Sequence, residues 1–333
     1  MNKKIFPVCV IGGGSAGVMA TLRAVLNNDD CLLFPGTPRD KKKSRAFWVS
    51  KIENMPSHFS FKKGIEDPNK EVISWIKNSE FKERLFLKKN EGVTKIIKNA
   101  DNLFEITANT GEVFLAKFII LCTGVMDIQP KINGSIDPIL PYANVQLADY
   151  CLRCDGHHAL NKDLTVFGNG DGAAWVGIML KERYDCPSVT ILTNGEDLKP
   201  FSEEVSKLVD LYQMKVKTRP VISVLGDSKN KKLNGYELSD GEIVKSDFTF
   251  ISLGMIVYNE LAIQLGAELD GRGFVVTNSH GESSVDGLYV AGDLRANAKK
   301  QVYTAWDHAV DSADKINALL RFERRQATLD LTE

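Results

Sequence analysis

The 333-residue sequence predicts an α/β fold built from two nucleotide-binding domains. Two glycine-rich turns, each between a short apolar strand and a helical stretch, lie about 155 residues apart. The length suggests about two domains of ~150 residues. The 43% hydrophobic content is sufficient to give each of them a core. These observations exclude a disordered chain and a small disulfide-rich scaffold.

The first turn follows a strand predicted at Ile5–Ile11, and it reads G-x-G-x-x-G through Gly12, Gly14 and Gly17. The first glycine permits a tight turn, the second lets a pyrophosphate approach the backbone, and the third lets helix and strand pack closely. The helix that follows directs its N-terminus at the anion. The acid that often binds a ribose is missing, because Phe34–Gly36 stands at the end of the second strand.

The second turn, Gly168–Ala173, reads G-x-G-x-x-A and follows a strand predicted at Leu164–Phe167. A helix to about Arg183 and a strand at Val189–Leu192 complete the unit. Thr193–Gly195 then offers neither an acid for a free 2′-hydroxyl nor arginines for a 2′-phosphate. This favours a domain that keeps its fold without productive NAD(P)H binding.

Charge and hydropathy argue against nucleic-acid and membrane partners. The 42 Lys and Arg residues balance 43 Asp and Glu residues. No apolar run approaches the ~18 residues that span a bilayer, so a cytoplasmic protein is expected. The charge is nevertheless uneven, since residues 36–100 hold 16 basic and 8 acidic side chains.

A C-x-x-C pair, Cys151 and Cys154, lies between the two units and is followed by Asp155. Such a pair can form a reversible disulfide, and the adjacent acid is placed to carry a proton. Zinc would need two further ligands, and His157 and His158 lie too close to complete a standard spacing, so we predict no metal and two surface histidines. The other cysteines are expected in the core: Cys9, Cys31, Cys122 and Cys186.

Over nearly its whole length, the sequence resembles the low-molecular-weight thioredoxin reductases. The matching segments are Gly12–Gly17, Ile52–Pro56, Cys122–Gly124, Cys151–Gly156, Gly168–Ala173, Gly287–Asp293 and Lys300–Ala305. The resemblance implies two Rossmann-like, three-layer ββα domains, the second inserted in the first. Residues 1–127 and 255–333 would bind FAD, residues 128–254 would carry the redox pair, and the protein would be a homodimer.

The resemblance also assigns roles to particular residues. Cys154 would meet the flavin, Cys151 would attack the disulfide of thioredoxin, and Asp155 would manage the protons. The residues implied in FAD binding are Gly12, Gly14, Ser15, Ala16, Gly17, Asn54, Gly124, Gly292, Asp293, Gln301 and Val302.

The sequence departs from the NADPH-using members of this group after the second strand of the inserted domain. Those members carry a basic H-R-R-type cluster, whereas this chain has Thr193–Asp197 with two acids. Loss of the charge-assisted hydrogen bonds disfavours NADPH. We therefore predict reduced ferredoxin as the electron donor, steered by the local basic excess around Lys41–Arg45 and Lys299-Lys300.

Other functions remain open at this stage. An NADPH-dependent reductase with an atypical phosphate site and a reductase with a second flavin in the inserted domain both suit the pattern. A dithiol oxidase that passes electrons to oxygen is a further alternative, although such relatives replace the acid after the C-x-x-C with histidine and Asp155 is present here. A flavin-binding redox sensor without turnover is the candidate from outside the enzymes.

Overall fold

The structure is a computed structural model that describes residues 3–49 and 51–331, apart from the side chain of Ala46. The chain divides into two compact units. Residues 1–126 and 256–333 form the outer unit, and residues 127–255 form the inserted unit. Each unit has its own central sheet, which is mixed in the outer unit and parallel in the inserted unit.

The elements are numbered in chain order. The strands are β1 (Ile5–Ile11), β2 (Cys31–Phe34), β3 (Leu85–Leu87), β4 (Val93–Lys98), β5 (Phe104–Ala108), β6 (Val113–Leu121), β7 (Val125–Asp127), β8 (Ala148–Asp149), β9 (Leu164–Gly168), β10 (Val189–Leu192), β11 (Lys215–Lys217), β12 (Val221–Asp227), β13 (Lys232–Leu238), β14 (Ile243–Lys245), β15 (Phe248–Ser252), β16 (Met255–Val257) and β17 (Leu288–Val290). The helices are α1 (Ser15–Leu26), α2 (Pro38–Lys42), α3 (Arg45–Trp48), α4 (Glu66–Asn78), α5 (Leu140–Ala143), α6 (Leu152–Asp155), α7 (Gly170–Tyr184), α8 (Glu203–Leu211), α9 (Glu260–Gln264) and α10 (Val302–Asp330).

The sheet of the outer unit is parallel where it carries the glycine-rich turn. Its order is β3-β2-β1-β6-β5-β4, and β17 also pairs with β6. Strands β1, β2, β3, β6 and β17 run parallel, whereas β4 and β5 form an antiparallel extension. The first half of β6 borders β5 and its last three residues border β17, so both strands share one side of β6.

Two hydrophobic cores cover the faces of this sheet. On one face, small residues of α1 and α10 pack against the sheet, among them Ala20, Ala24, Ala309 and Ala313. Alanines at helical spacing let both helices approach the strands closely. On the other face, Ile96 and Ile106 pack with residues of α9 and of the segment that precedes β17. The result is a layered arrangement with a helical side and a β-rich side.

The inserted unit repeats this plan. Its five-stranded sheet has the order β11-β10-β9-β15-β8, and all its strands are parallel. Helix α7 packs on one face through Ala173, Ala174 and Ile178. The antiparallel sheet β12-β13-β14 covers the other face, where Tyr236 packs edge-on against Phe167. The layers are therefore sheet, sheet and helix, as the sequence predicts.

Several sequence predictions are confirmed. The predicted strands and helices around both glycine-rich turns are present as β1, α1, β9, α7 and β10. The four cysteines outside the C-x-x-C are free and buried. Burial raises the pKa of the Cys31 thiol to about 12, which makes it a packing residue rather than a nucleophile. Of the helices in the described ranges, none is both long and apolar enough to cross a bilayer.

Close packing explains two of the glycines in the first turn. Gly12 has φ +119°, and a β-carbon there would lie 2.2 Å from the carbonyl oxygen of Cys122. A β-carbon at Gly17 would lie 1.9 Å from the carbonyl oxygen of Gly12. Gly14 differs, because a β-carbon there would meet nothing within 4 Å. The turn is therefore tightly packed on its inner side and open at Gly14.

We expect Gly17→Ala to destabilise the flavin-free protein by about 3 kcal/mol, because the added methyl group forces the backbone of the turn to move. Gly14→Ala is the matched control and should change the free energy of unfolding by less than about 1 kcal/mol. Denaturant unfolding of the three proteins measures the difference. Equal effects at the two positions would contradict the packing described here.

Candidate active site

Three remote segments meet at one edge of the outer sheet. In the register of the strands, Ile11 at the end of β1 lies opposite Leu121 at the end of β6, and Leu121 lies opposite Val290 at the end of β17. The carboxyl ends of parallel strands are where ligands bind in open α/β sheets. The residues that follow these strands, including Gly12–Gly17, Gly124 and Gly292-Asp293, therefore share one edge.

The late A-G-D segment packs directly on the first turn. Gly292 has φ +79°, and a β-carbon there would lie 2.8 Å from the β-carbon of Ala16. Asp293 follows in a short 3₁₀ helix. Its carboxylate accepts a hydrogen bond from Nη1 of Arg45 at 3.1 Å, in a pair that is about one-fifth exposed. Arg45 is a contributor to this edge that the sequence analysis assigned only to partner steering.

Asn54 and Gln301, both in the outer unit, are joined by a hydrogen bond. The Asn54 amide donates to Oε1 of Gln301 at 2.8 Å, and Gln301 is buried. Gln301 is also the N-cap residue of α10, so Val302 begins a helix of 29 residues. The long helix leaves its first backbone N–H groups without helical partners beside Asn54.

His58 is a buried residue that the sequence analysis missed. It is 8% exposed, and its ring lies against Phe61 and Trp306. Its Nδ1 lies 3.1 Å from the carbonyl oxygen of Pro56, so Nδ1 carries a hydrogen and donates it to that oxygen. Within the described part of the chain, Nε2 has no hydrogen-bond partner. No motif or spacing in the sequence marks this histidine.

The redox pair lies in the inserted unit. Cys151 and Cys154 form a disulfide with their Cα atoms 5.2 Å apart. The backbone N–H of Cys154 donates to Sγ of Cys151 at 3.2 Å, which favours a negative charge on that sulfur after reduction. A carboxylate oxygen of Asp155 and both sulfurs all lie within 4.8 Å of one another. The three residues predicted from the sequence are thus brought together.

His157 and His158 differ in their surroundings. His157 is exposed, as predicted, but the prediction of a surface site is wrong for His158. Nδ1 of His158 lies 2.7 Å from Oδ2 of Asp149, and their side chains are 15% and 9% exposed. Asp149 stands at the end of β8, nine residues earlier, so no local sequence pattern reveals the pair.

In the inserted unit, a later segment of the chain lies over the second glycine-rich turn. The side chain of Asn169 accepts from the backbone N–H groups of Gly170 and Lys199, both at 2.9 Å. The same side chain donates to the carbonyl oxygen of Asp197 at 2.9 Å and to the carboxylate of Glu196 at 3.3 Å. Lys199 also packs over Gly170, where an added β-carbon would lie 3.2 Å away.

The same segment also binds to the first turn of α7. Asp171 lies in its first turn and accepts the backbone N–H of Ser202 at 2.9 Å. The hydroxyl of Thr193 donates to the carbonyl oxygen of Glu196 at 2.6 Å, which holds the connecting loop. Acidic groups at Asp171 and Glu196 therefore stand where a pyrophosphate would approach the helix N-terminus. We name residues 193–202 the covering loop.

The basic cluster of the outer unit is smaller than the sequence indicates. Lys41, Lys42 and Lys43 are exposed at the end of α2, and the indole of Trp48 donates to the carbonyl oxygen of Lys42. Lys300 is only partly exposed; its ammonium donates to the carbonyl oxygen of Arg295 at 2.7 Å and lies over the ring of Phe274. Desolvation lowers the pKa of Lys300 to about 8.

The fold and the disulfide define a class of redox enzymes. The sequence profile of the pyridine nucleotide-disulphide oxidoreductases matches residues 6–313. The chain belongs to that family.

Thioredoxin reductases are among the proteins that this chain resembles. The thioredoxin reductase of Treponema pallidum is 26% identical over 306 residues, which cover 90% of this chain and 92% of that protein. That of Listeria monocytogenes is 27% identical over 313 residues, covering 91% and 90%. A crystal structure of a putative thioredoxin reductase, TrxB, from Bacillus anthracis superposes with a TM-score of 0.78 at 21% identity, covering 96% of this chain and 99% of that one. The predicted α/β fold is confirmed.

Membership in this family implies a bound flavin, and the outer unit has suitable groups for FAD. The open face of Gly14 at the start of α1 suits a pyrophosphate. The Asp293 carboxylate suits the hydroxyl groups of a ribityl chain, and the start of α10 at Val302 offers backbone donors. The His58 ring packs against Trp306 near the start of α10, and its Nε2 has no hydrogen-bond partner among the described residues.

We expect Asn169→Ala to loosen the covering loop, because four hydrogen bonds of the side chain are lost together. Hydrogen exchange at the amide of Lys199 should accelerate by at least about tenfold. Asn230→Ala, which removes an exposed side-chain bond to Asp227, is the control and should leave this amide unchanged. An unchanged rate in Asn169→Ala would contradict the closure of the turn.

Lys300 should make stability depend on pH. Its pKa is about 8 in the folded protein and near 10.5 when unfolded, so the unfolded chain binds more protons between these values. The contribution of Lys300 to the free energy of unfolding therefore rises from pH 8 to about pH 10. With its partial exposure, the gain should be about 1 kcal/mol. The difference between wild type and Lys300→Met, both flavin-free, measures it, and a difference that is constant with pH would contradict the shift.

Proposed function

We propose that this protein is an FAD-dependent disulfide oxidoreductase that reduces thioredoxin through Cys151 and Cys154. We further propose that reduced ferredoxin, rather than NADPH, is its electron donor. One observation carries both parts: the inserted unit holds an intact redox centre, but its dinucleotide turn is covered by its own loop.

The redox centre has the parts that a disulfide reductase needs. Reduction of the Cys151–Cys154 disulfide takes up two electrons and two protons, and the carboxylate of Asp155 is close enough to both sulfurs to hold one of these protons. FAD bound in the outer unit would supply the electron pair. The sulfur of Cys151, which accepts the Cys154 N–H, would then be the better stabilised thiolate.

The dithiol then reacts by thiol–disulfide exchange. The Cys151 thiolate attacks one sulfur of the thioredoxin disulfide, and a mixed disulfide forms as the thioredoxin S–S bond breaks. Cys154 next attacks Cys151, which restores the Cys151–Cys154 disulfide and releases thioredoxin as a dithiol. Two electrons and two protons have moved to thioredoxin, so the cycle balances. The relatives from Treponema pallidum and Listeria monocytogenes are both named thioredoxin reductase, which supports this proposed activity.

The choice of donor depends on the covering loop. A pyridine nucleotide would have to displace Lys199 from Gly170 and replace the hydrogen bonds of Asn169 with its own phosphate oxygens. It would also bring its negative charges close to Glu196 and Asp171. Both costs oppose binding, since an anion gains from a helix N-terminus only where that terminus is open and free of acids.

An acidic protein donor has a suitable surface on the outer unit. Lys41, Lys42 and Lys43 project from the end of α2, and Trp48 is 38% exposed beside them. Exposed lysines steer an acidic partner and raise the rate of encounter. An exposed aromatic residue adds contact area at such a surface. Arg45 and Lys300 contribute less to this surface because both are engaged within the unit.

An anaerobic titration of the flavin-loaded protein tests the proposal. NADPH, then NADH, then photoreduced ferredoxin are added while the flavin absorbance is followed. We expect the pyridine nucleotides to leave the flavin oxidised and ferredoxin to bleach it. Thioredoxin added afterwards should be reduced by the wild type and not by Cys154→Ser.

A charge-reversal variant and a matched control test whether the exposed lysines bind ferredoxin. Reversing the charge of Lys41, Lys42 and Lys43 to Glu should slow reduction by ferredoxin at least about tenfold at low salt. The matched control reverses Lys229, Lys231 and Lys232, an exposed turn of the inserted unit. Bleaching by NADPH within seconds would overturn the choice of donor, and failure of the reduced protein to reduce thioredoxin would overturn the acceptor.

A further inference from the structure

A buried hydrogen-bonded pair, Asp149 and His158, closes the segment that carries the disulfide. Asp149 lies two residues before Cys151, and His158 lies four residues after Cys154. The 2.7 Å contact between Oδ2 of Asp149 and Nδ1 of His158 thus joins the two ends of a ten-residue segment. The pair is separate from Asp155, which the proposed mechanism uses.

The pair is built into the edge of the inserted sheet. Asp149 lies opposite Phe250 where β8 pairs with β15. The ring of His158 packs edge-on against Phe248, a fully buried residue of β15, with centroids 6.2 Å apart. The ammonium of Lys162 lies 5.3 Å from the centroid of the Phe248 ring. Phe248 therefore holds two basic groups beside one buried carboxylate.

Burial and the neighbouring basic groups act in opposite directions on Asp149, and the net effect raises its pKa. Burial opposes ionisation of Asp149 and raises its pKa, whereas His158, His157 and Lys162 act in the opposite direction. Because two residues of extended chain span at most about 7 Å, the Asp149 Cα lies within that distance of the Cys151 Cα. Charges at this range inside a protein are only partly screened. The pair and the two sulfurs are therefore held on one short segment of the chain.

We propose that Asp149 and His158 form an ion pair of carboxylate and imidazolium, which positions the redox segment and sets the equilibrium between the disulfide and the dithiol of Cys151 and Cys154. This role rests on the proposed function only in assigning that disulfide to catalysis. Asp149 and His158 are positioning residues, because they act on the sulfurs through the chain and through their charges.

The two members of the pair should act in opposite directions. Reduction places negative charge on a sulfur, so a nearby imidazolium favours the dithiol form and a nearby carboxylate opposes it. His158→Gln keeps a donor for Asp149 but removes the cation, and should shift the equilibrium toward the disulfide. Asp149→Asn keeps a hydrogen-bonding partner for His158 but removes the anion, and should shift the equilibrium toward the dithiol.

The equilibrium is measured on the full-length protein in mixtures of reduced and oxidised dithiothreitol. The reagent donates two electrons and two protons to the disulfide and becomes a cyclic disulfide itself. After acid quenching, alkylation and mass spectrometry of the peptide with Cys151 and Cys154 give the fraction reduced. We expect shifts of about three- to tenfold in the equilibrium constant, of opposite sign in the two variants.

The control is Glu242→Gln, which breaks the 2.7 Å ion pair with Lys217. Lys217 lies on β11, at the opposite edge of the same sheet, so this variant should stay within twofold of the wild type. Shifts of the same sign in Asp149→Asn and His158→Gln, or shifts within twofold, would overturn the proposal. A lower melting temperature with an unchanged equilibrium constant would also overturn it.

This measurement is independent of the donor and the acceptor. Neither ferredoxin, NADPH nor thioredoxin is present, so a wrong donor or acceptor leaves the result unaffected. Conversely, the titration of the flavin tests the proposed function without reference to Asp149 or His158.

Discussion

The outer unit depends on one steric constraint at the end of its first strand. Gly12 and Gly17 must lack side chains, because the backbone of Cys122 and of Gly12 itself occupies the space that β-carbons would need. This close contact aligns the ends of β1 and β6, and β17 joins the same edge. Segments nearly 300 residues apart in the chain thereby supply one site. Side chains at Gly12 and Gly17 would force these segments apart, because the packed backbone leaves no room for them.

The inserted unit has the same fold but uses its turn differently. In both units a helix begins directly after a glycine-rich turn, and its first N–H groups need partners. In the outer unit the turn is open at Gly14. In the inserted unit the side chain of Asn169 accepts the N–H of Gly170, and Asn169 and Asp171 also hold the covering loop by accepting the N–H groups of Lys199 and Ser202. These contacts place the covering loop over the turn, which is the observation on which the proposed choice of donor depends. A shared fold therefore need not imply a shared ligand.

The inserted unit places its redox pair at a sheet edge rather than in its core. The disulfide segment leaves β8 and returns to the central strand β9, so both of its ends are anchored while Cys151 and Cys154 stay partly exposed. A reactive dithiol needs this combination, since burial raises the pKa of a thiol, as it does at Cys31 and Cys122, whereas exposure without anchoring would leave its geometry variable. The titratable groups of Asp149, Asp155 and His158 lie within this anchored segment.

The sequence by itself determined the fold class, the strands and helices around both turns, and the roster of residues at the redox centre. These are local features, in which apolar periodicity and glycine spacing act over a few residues. It also indicated a weakened nucleotide site from the residues after β10. Only the tertiary structure revealed the pairing of Asp149 with His158, the engagement of Arg45 with Asp293, the burial of His58 and the covering of Gly170 by Lys199. Each of these joins residues that are separated in the chain or lack a motif, and their contacts depend on how strands and loops pack, which composition and periodicity do not encode.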